Sequence, residues 1–180
     1  AQKVFLSADT STTASVSYGS IQVDYQNPQA DQAEPQVDVD RGFQGRNATL
    51  SSVAANVSNA SRSAYSLDYT FDDTNPDSSL SNTDSFNGVQ YINATTDDVD
   101  TSNFIDSTLQ IKVSKAALAQ QGILDSPENI TIYHENSSDA YDPITNELVQ
   151  ETSSGYIYEV TEDSYSVFAV GVPTEDDDGS

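Results

Sequence analysis

The chain has 180 residues, with six Lys and Arg against 29 Asp and Glu, a formal net charge of −23, and no Cys, Met or Trp. Without Cys there is no disulfide framework and no thiolate metal centre. The charge opposes nucleic acids and anionic membranes, and no apolar run approaches the roughly 18 residues that would span a bilayer.

Apolar residues make up 36% of the sequence and fall in periodic runs, which excludes an acidic disordered tail as the whole answer. The period is two. Gln2-Lys3-Val4-Phe5-Leu6-Ser7-Ala8 opens the chain as a strand, with Val4 and Leu6 alternating against Phe5. Such a segment must hydrogen-bond another strand, either within its own domain or at the sheet edge of a neighbour, so Val4, Phe5 and Leu6 are candidate assembly residues. Val16 and Tyr18, then Ile21, Val23 and Tyr25, alternate around Gly19-Ser20, a bulge or tight hairpin. Val37 and Val39 form a short strand ended by the Arg41-Gly42-Phe43-Gln44-Gly45-Arg46 turn.

Tyr65, Leu67, Tyr69 and Phe71 are the cleanest alternating run and predict one buried face. Leu109, Ile111 and Val113 alternate again, followed by Ile130 and Ile132, then Tyr156, Tyr158 and Val160. Tyr165 to Val172 is almost continuously apolar and is expected to be central in its sheet. Leu109, Ile111 and Phe168 are expected in the core. The clusters Asp72-Asp73-Thr74-Asn75-Pro76-Asp77 and Asp139-Ala140-Tyr141-Asp142-Pro143 read as turns. One helix is predicted, over about 115–121, with Ser114 as its N-cap and Gly122 as its left-handed stop.

About ten short strands and one short helix predict an all-β fold, an antiparallel β-sandwich. The expected organisation is an N-terminal strand segment or arm over 1–34, the sandwich over 35–173 and an acidic tail over 174–180.

Catalytic chemistry finds little to build on. His134 is the only histidine; it lies at a strand end beside an acceptor sequence, where a solvated surface histidine is expected rather than a general base. Paired carboxylates arise by default in a chain this acidic, so no enzyme is expected. Asp97, Asp98 and Asp100 place oxygen ligands at alternate loop positions, which suits calcium, but the run lacks the glycine and distal Glu of an EF-hand. A solvated acidic loop explains the same residues, and no other cofactor is implied.

Six Asn residues stand in N-x-S/T acceptor sequences: Asn47, Asn56, Asn59, Asn93, Asn129 and Asn136. Together with the lack of Cys and the strand sequence that follows Ala1, these acceptors lead us to expect an extracellular glycoprotein, its chain beginning after signal-peptide removal; a trimmed chain would look the same. The charge adds a solvent. The Debye length is about 10 Å in 0.1 M salt and about 3 Å in molar salt, so carboxylates without cationic partners are best tolerated by a halophile.

From about Tyr91 to Val172 several segments share a known pattern. Ile105-Asp106-Ser107-Thr108-Leu109-Gln110-Ile111-Lys112-Val113-Ser114-Lys115 is a strand leading into a capped helix, with Leu118 and Gly122-Ile123 following. Tyr141-Asp142-Pro143-Ile144 and the closing Ser166-Val167-Phe168-Ala169-Val170-Gly171 complete it. This half resembles the PGF-pre-PGF domain of archaeal, here haloarchaeal, cell-surface proteins, with Ala117 and Tyr141 at the family's Trp positions and Asp163-Ser164-Tyr165 at its Pro-Gly-Phe. The resemblance implies a secreted, surface-associated module. The expected function is a non-catalytic structural protein of a surface layer or filament, partnered by itself or other surface proteins and carrying N-linked glycans. The alternative is a recognition module: an adhesin, a carbohydrate-binding domain or a virus spike.

Overall fold

The computed structural model describes residues 2–5, 12–16, 19–25, 37–40, 42–43, 46–57, 65–76, 86–97, 104–138 and 140–174. Of these, 2–5, 12–16, 25, 56, 57 and 104 are described by backbone alone. The chain is an antiparallel β-sandwich. Its larger sheet holds β1 (Gln2–Phe5), β2 (Thr12–Val16), β3 (Ser20–Tyr25), β6 (Tyr65–Asp72), β7 (Phe86–Asp97), β13 (Val167–Pro173), β9 (Thr131–Glu135) and β10 (Tyr141–Ile144), in that spatial order. The smaller sheet runs β11 (Glu147–Glu151), β12 (Gly155–Glu162), β8 (Phe104–Ser114), β5 (Ala48–Val57) and β4 (Val37–Asp38).

Alternation explains the packing. In β6, Tyr65, Leu67, Tyr69 and Phe71 all turn inward, meeting Ile21 and Val23 of β3 in one core with Leu50, Val53, Leu109, Ile111 and Val113 of the smaller sheet. Leu109, Ile111 and Phe168 are exposed by 1%, 0% and 1%, as their strand phase requires. β13 lies between β7 and β9, which accounts for its apolar run: Phe168 and Val170 enter the common core, while Val167 and Ala169 join an aromatic cluster on the opposite face.

The one α-helix among the described residues, α1 (Lys115–Gln120), is built as its caps dictate. Ser114 Oγ accepts from the amides of Ala116 and Ala117 at 3.1 and 3.3 Å. Gly122 takes φ +75°, and Ile123 N–H returns to the Leu118 carbonyl, closing the C-terminal motif.

Four differences from the sequence reading have physical causes. The described strands before residue 34 join the sandwich: β1, β2 and β3 extend the larger sheet, and β3 pairs with β6 from Ser20↔Thr70 to Tyr25↔Tyr65. β5 carries its buried face on small residues, Ala48 and Ala55 beside Leu50 and Val53, so its alternation is faint. β7 is buried on both faces over Tyr91–Ile92, and a register shift opposite Val170/Gly171 breaks its period. Tyr141, Asp142 and Pro143, expected within a turn, lie instead in the edge strand β10. Pro143 is tolerated there because an edge strand has one backbone side without ladder bonds.

Polar bolts join the two sheets. Gln90 of β7 is fully buried; its Oε1 accepts from the amides of Asn47 and Ala48, and its Nε2 donates to the Asp72 carbonyl and Asp73 Oδ1. Elsewhere a hydroxyl chain runs through Tyr69, Tyr165 and Ser107 to the Ala54 carbonyl, at 2.5, 2.6 and 2.7 Å. Because Ser107 donates to the carbonyl, its oxygen accepts from Tyr165, which in turn accepts from Tyr69.

Candidate functional site

His134 is not the solvated histidine expected from its position. The β9 phase turns it inward beside Ile132, and its ring stacks on Phe168 with centroids 4.2 Å apart. Nδ1 lies 2.6 Å from Glu162 Oε1 of the smaller sheet. Nε2 is buried without a hydrogen-bond partner. A general base needs a nitrogen facing its substrate; here one nitrogen is held by a carboxylate and the other ends in the core. The residue links sheets.

The acidic candidates separate. Asp97 is exposed at the end of β7, while Asp98 and Asp100 lie outside the described residues. What the sheet brings near Asp97 is a pair remote in sequence. Ser66 faces Asp24 on one side and Asp97 on the other, with Asp68 two residues along the same strand. Partial burial, then the negative charges of Asp97 and Asp24, push the Asp68 carboxyl above the usual range. Only the pairing β3–β6–β7 reveals this cluster, so no local motif could have found it. Among the described residues, no group of three or more His, Cys, Asp or Glu is placed to hold a metal ion.

The outer face of the smaller sheet carries a polar row. Ser52 donates to Gln110 Oε1, and Gln110 Nε2 donates to Glu159 Oε2, both at 2.9 Å, so β5, β8 and β12 are tied side chain to side chain. Beside this row lies an open depression of about 380 Å³, bounded by Asp38, Asp40, Gln150 and Thr152 and floored by the buried Ile157. Lys112 spans the row to Asp40 at 3.0 Å and lies over the Phe43 ring. The carboxylates, amides and hydroxyls around it offer hydrogen bonds to a hydroxyl-rich ligand.

The acceptor sequences also separate. Asn47 is a structural bolt: its Nδ2 donates to the Val89 carbonyl at 3.1 Å, and Ala48 and Thr49 are wholly buried. Asn136 builds a turn, with Nδ2 on Asp142 at 2.8 Å and Oδ1 accepting from the Ser138 and Ala140 amides. Asn93 is half-buried between β6 and β13, facing Thr70 and Val167. Asn129 is exposed at the end of a 3-10 turn, Pro127–Asn129. Asn56 is described by backbone only, and Asn59 lies outside the described residues.

At the N-terminus, Val4 and Phe5 pair with Ala14 and Thr13 of the same chain; Leu6 lies outside the described residues. Among the described strands, β1 and β10 end the larger sheet, and β4 and β11 end the smaller one. β11 is exposed throughout, and Leu148 and Val149 at its register shift are 39% and 40% exposed. No described helix is long and apolar enough to cross a membrane. No protein-family model matches the chain, and no curated protein matches it either.

Proposed function

We propose that the chain is a non-catalytic, N-glycosylated structural protein of a halophilic archaeal cell surface, one building block of an extracellular layer or filament. The observation that carries this reading is how the positive charge is used. Of the six cations, the three with described side chains are all engaged: Arg46 over Phe71 and on Thr49, Lys112 on Asp40, Lys115 on Glu151. Arg46 and Lys112 are buried as well, so they do little to neutralise the outer surface. A carboxylate-rich surface with so few counter-charges of its own relies on counter-ions from the solvent. The end strands of both sheets, above all the exposed β11, support assembly by strand addition.

The polar depression on the smaller sheet favours the second reading, a recognition module for a hydroxyl-rich ligand. Electron microscopy in molar salt, with thermal unfolding across salt concentration, distinguishes the two. Ordered layers or filaments, and a midpoint that falls as salt drops from molar to about 0.1 M, are expected. A monomer that captures glycans would favour the second reading. An unchanged midpoint would remove the halophilic basis of both.

A further inference from the structure

We infer that Asn129 is the glycan-bearing residue among the acceptors with described side chains, and that Asn47 and Asn136 belong to the fold instead. This rests on the glycoprotein reading above and adds the site. N-linked modification joins Asn Nδ2 to the anomeric carbon of a sugar. It breaks that carbon's bond to the phosphate of a glycosyl phosphate donor, and the amide loses one proton as the phosphate departs. The acceptor nitrogen must therefore have open space in front of it, and its hydrogen bonds must survive the loss of that proton.

Asn47 fails on space. Its Nδ2 points at the Val89 carbonyl, and the same residue's amide is held by buried Gln90. The hydroxyl two residues on, Thr49, is 0% exposed and bonded to Arg46. A sugar there would have to part β5 from β7. Asn136 fails on geometry: three hydrogen bonds fix its amide inside its own turn, with Nδ2 against the Asp142 carboxylate. Asn93 stands half-buried in a strand paired on both sides.

Asn129 differs in access, and its Thr131, although hydrogen-bonded to Tyr133, is only half-buried where Thr49 is wholly buried. Asn129 itself is exposed, and the middle residue of its acceptor sequence, Ile130, is the one anchored in the core. The backbone is fixed by Asn129 N–H to the Ser126 carbonyl and Ile130 N–H to the Pro127 carbonyl, neither of which uses the acceptor amide. Beside it opens a groove of about 440 Å³ with Ile123, Val172 and Pro173 in its wall. Those aliphatic surfaces suit the apolar face of a pyranose, while Glu128 and Thr131 offer polar contacts at the rim.

Glycopeptide mass spectrometry of the chain recovered from its native cells tests this. The expected result is a glycan on Asn129 in most molecules and bare Asn47 and Asn136. A bare Asn129 with sugar elsewhere would overturn the inference alone. No sugar on any acceptor would overturn it together with the glycoprotein reading. A second arm uses unglycosylated chain: Asn129→Gln should leave the unfolding midpoint within about a degree, while Asn47→Gln should lower it by several degrees. The reverse order would show that the structural assignment of the two residues is wrong.

Discussion

The outer face of the larger sheet is two surfaces on one scaffold. Toward β13, β9 and β10 it buries Phe86, Tyr91, Tyr133, Tyr141, Val167 and Ala169 in a cluster separate from the common core. Phe86 stacks on Tyr133 with centroids 4.0 Å apart and meets Tyr141 edge-on at 5.5 Å. Toward β3 and β6 the same face carries Asp24, Asp68, Thr70 and Asp97. β7 belongs to both, with Phe86 at one end and Asp97 at the other. A strand's sequence therefore reports its neighbours on both faces: where the outer face is covered the run is continuous, and where it meets solvent the run alternates.

The strongest test is whether the aromatic end is a second core. Phe168→Ala, in the common core, should cost about 3–5 kcal/mol. Tyr141 is 0% exposed, and its hydroxyl donates to Asn75 Oδ1 at 3.0 Å. Tyr141→Ala should therefore fall in the same range of about 3–5 kcal/mol, while Tyr141→Phe should lose about 0.5–1.5 kcal/mol with its hydrogen bond. Denaturant unfolding measures all three. A cost below about 1 kcal/mol for Tyr141→Ala would mean the cluster is a loosely held patch, and the contrast with Phe168 would replace the likeness.

Tyrosine ionisation sharpens the same comparison from another side. Burial raises the phenols of Tyr91 and Tyr133 at the aromatic end and of Tyr158 and Tyr165 in the interior, with Tyr165 pushed up to about 12. For Tyr165 the hydrogen bonds to Ser107 and Tyr69 pull the other way and do not outweigh burial. Each phenol keeps its proton more tightly folded than unfolded. The stabilisation is complete below pH 10 and is lost as pH rises through 10 toward 12. Tyr165→Phe should remove about 1–2 kcal/mol of that alkaline loss. Equal pH dependence in the variant and the parent would show that Tyr165 titrates as an exposed phenol.

What was legible in the sequence follows from how local each signal is. The β6 alternation, the Ser114 cap and the Gly122 stop are written within a few residues, and all three are where the sequence puts them. β5 was silent because small residues bury little area and leave a weak period. The sheet-linking roles of Gln90 and His134, and the grouping of Asp24, Asp68 and Asp97, depend on partners between 17 and about 70 residues away. Nothing in the sequence around Gln90 distinguishes a buried bolt from a surface amide. The six acceptor sequences look alike as tripeptides; only packing separates Asn47 from Asn129.

The smallest effect belongs to the acidic end and depends most on solvent. Asp68 is partly buried and flanked by Asp97 and Asp24, so its negative charge is disfavoured in the folded state. Because its folded-state pKa is raised, the stabilisation it can give is present only below the unfolded value near 3.8 and disappears as pH climbs through the folded one. At neutral pH the charge is a net cost. Asp68→Asn keeps the shape and removes both the desolvated charge and the two repulsions. It should raise stability by a few tenths to about 1 kcal/mol in 0.1 M salt. In molar salt the Debye length falls to about 3 Å and the two repulsions fade, leaving a smaller gain. Tyr141→Ala, whose cost is packing, should not lose its effect in this way. Thermal unfolding of both variants at the two salt concentrations separates the surfaces: a gain at Asp68 that is the same in both salts would mean that the acidic end is governed by burial rather than by its neighbouring charges.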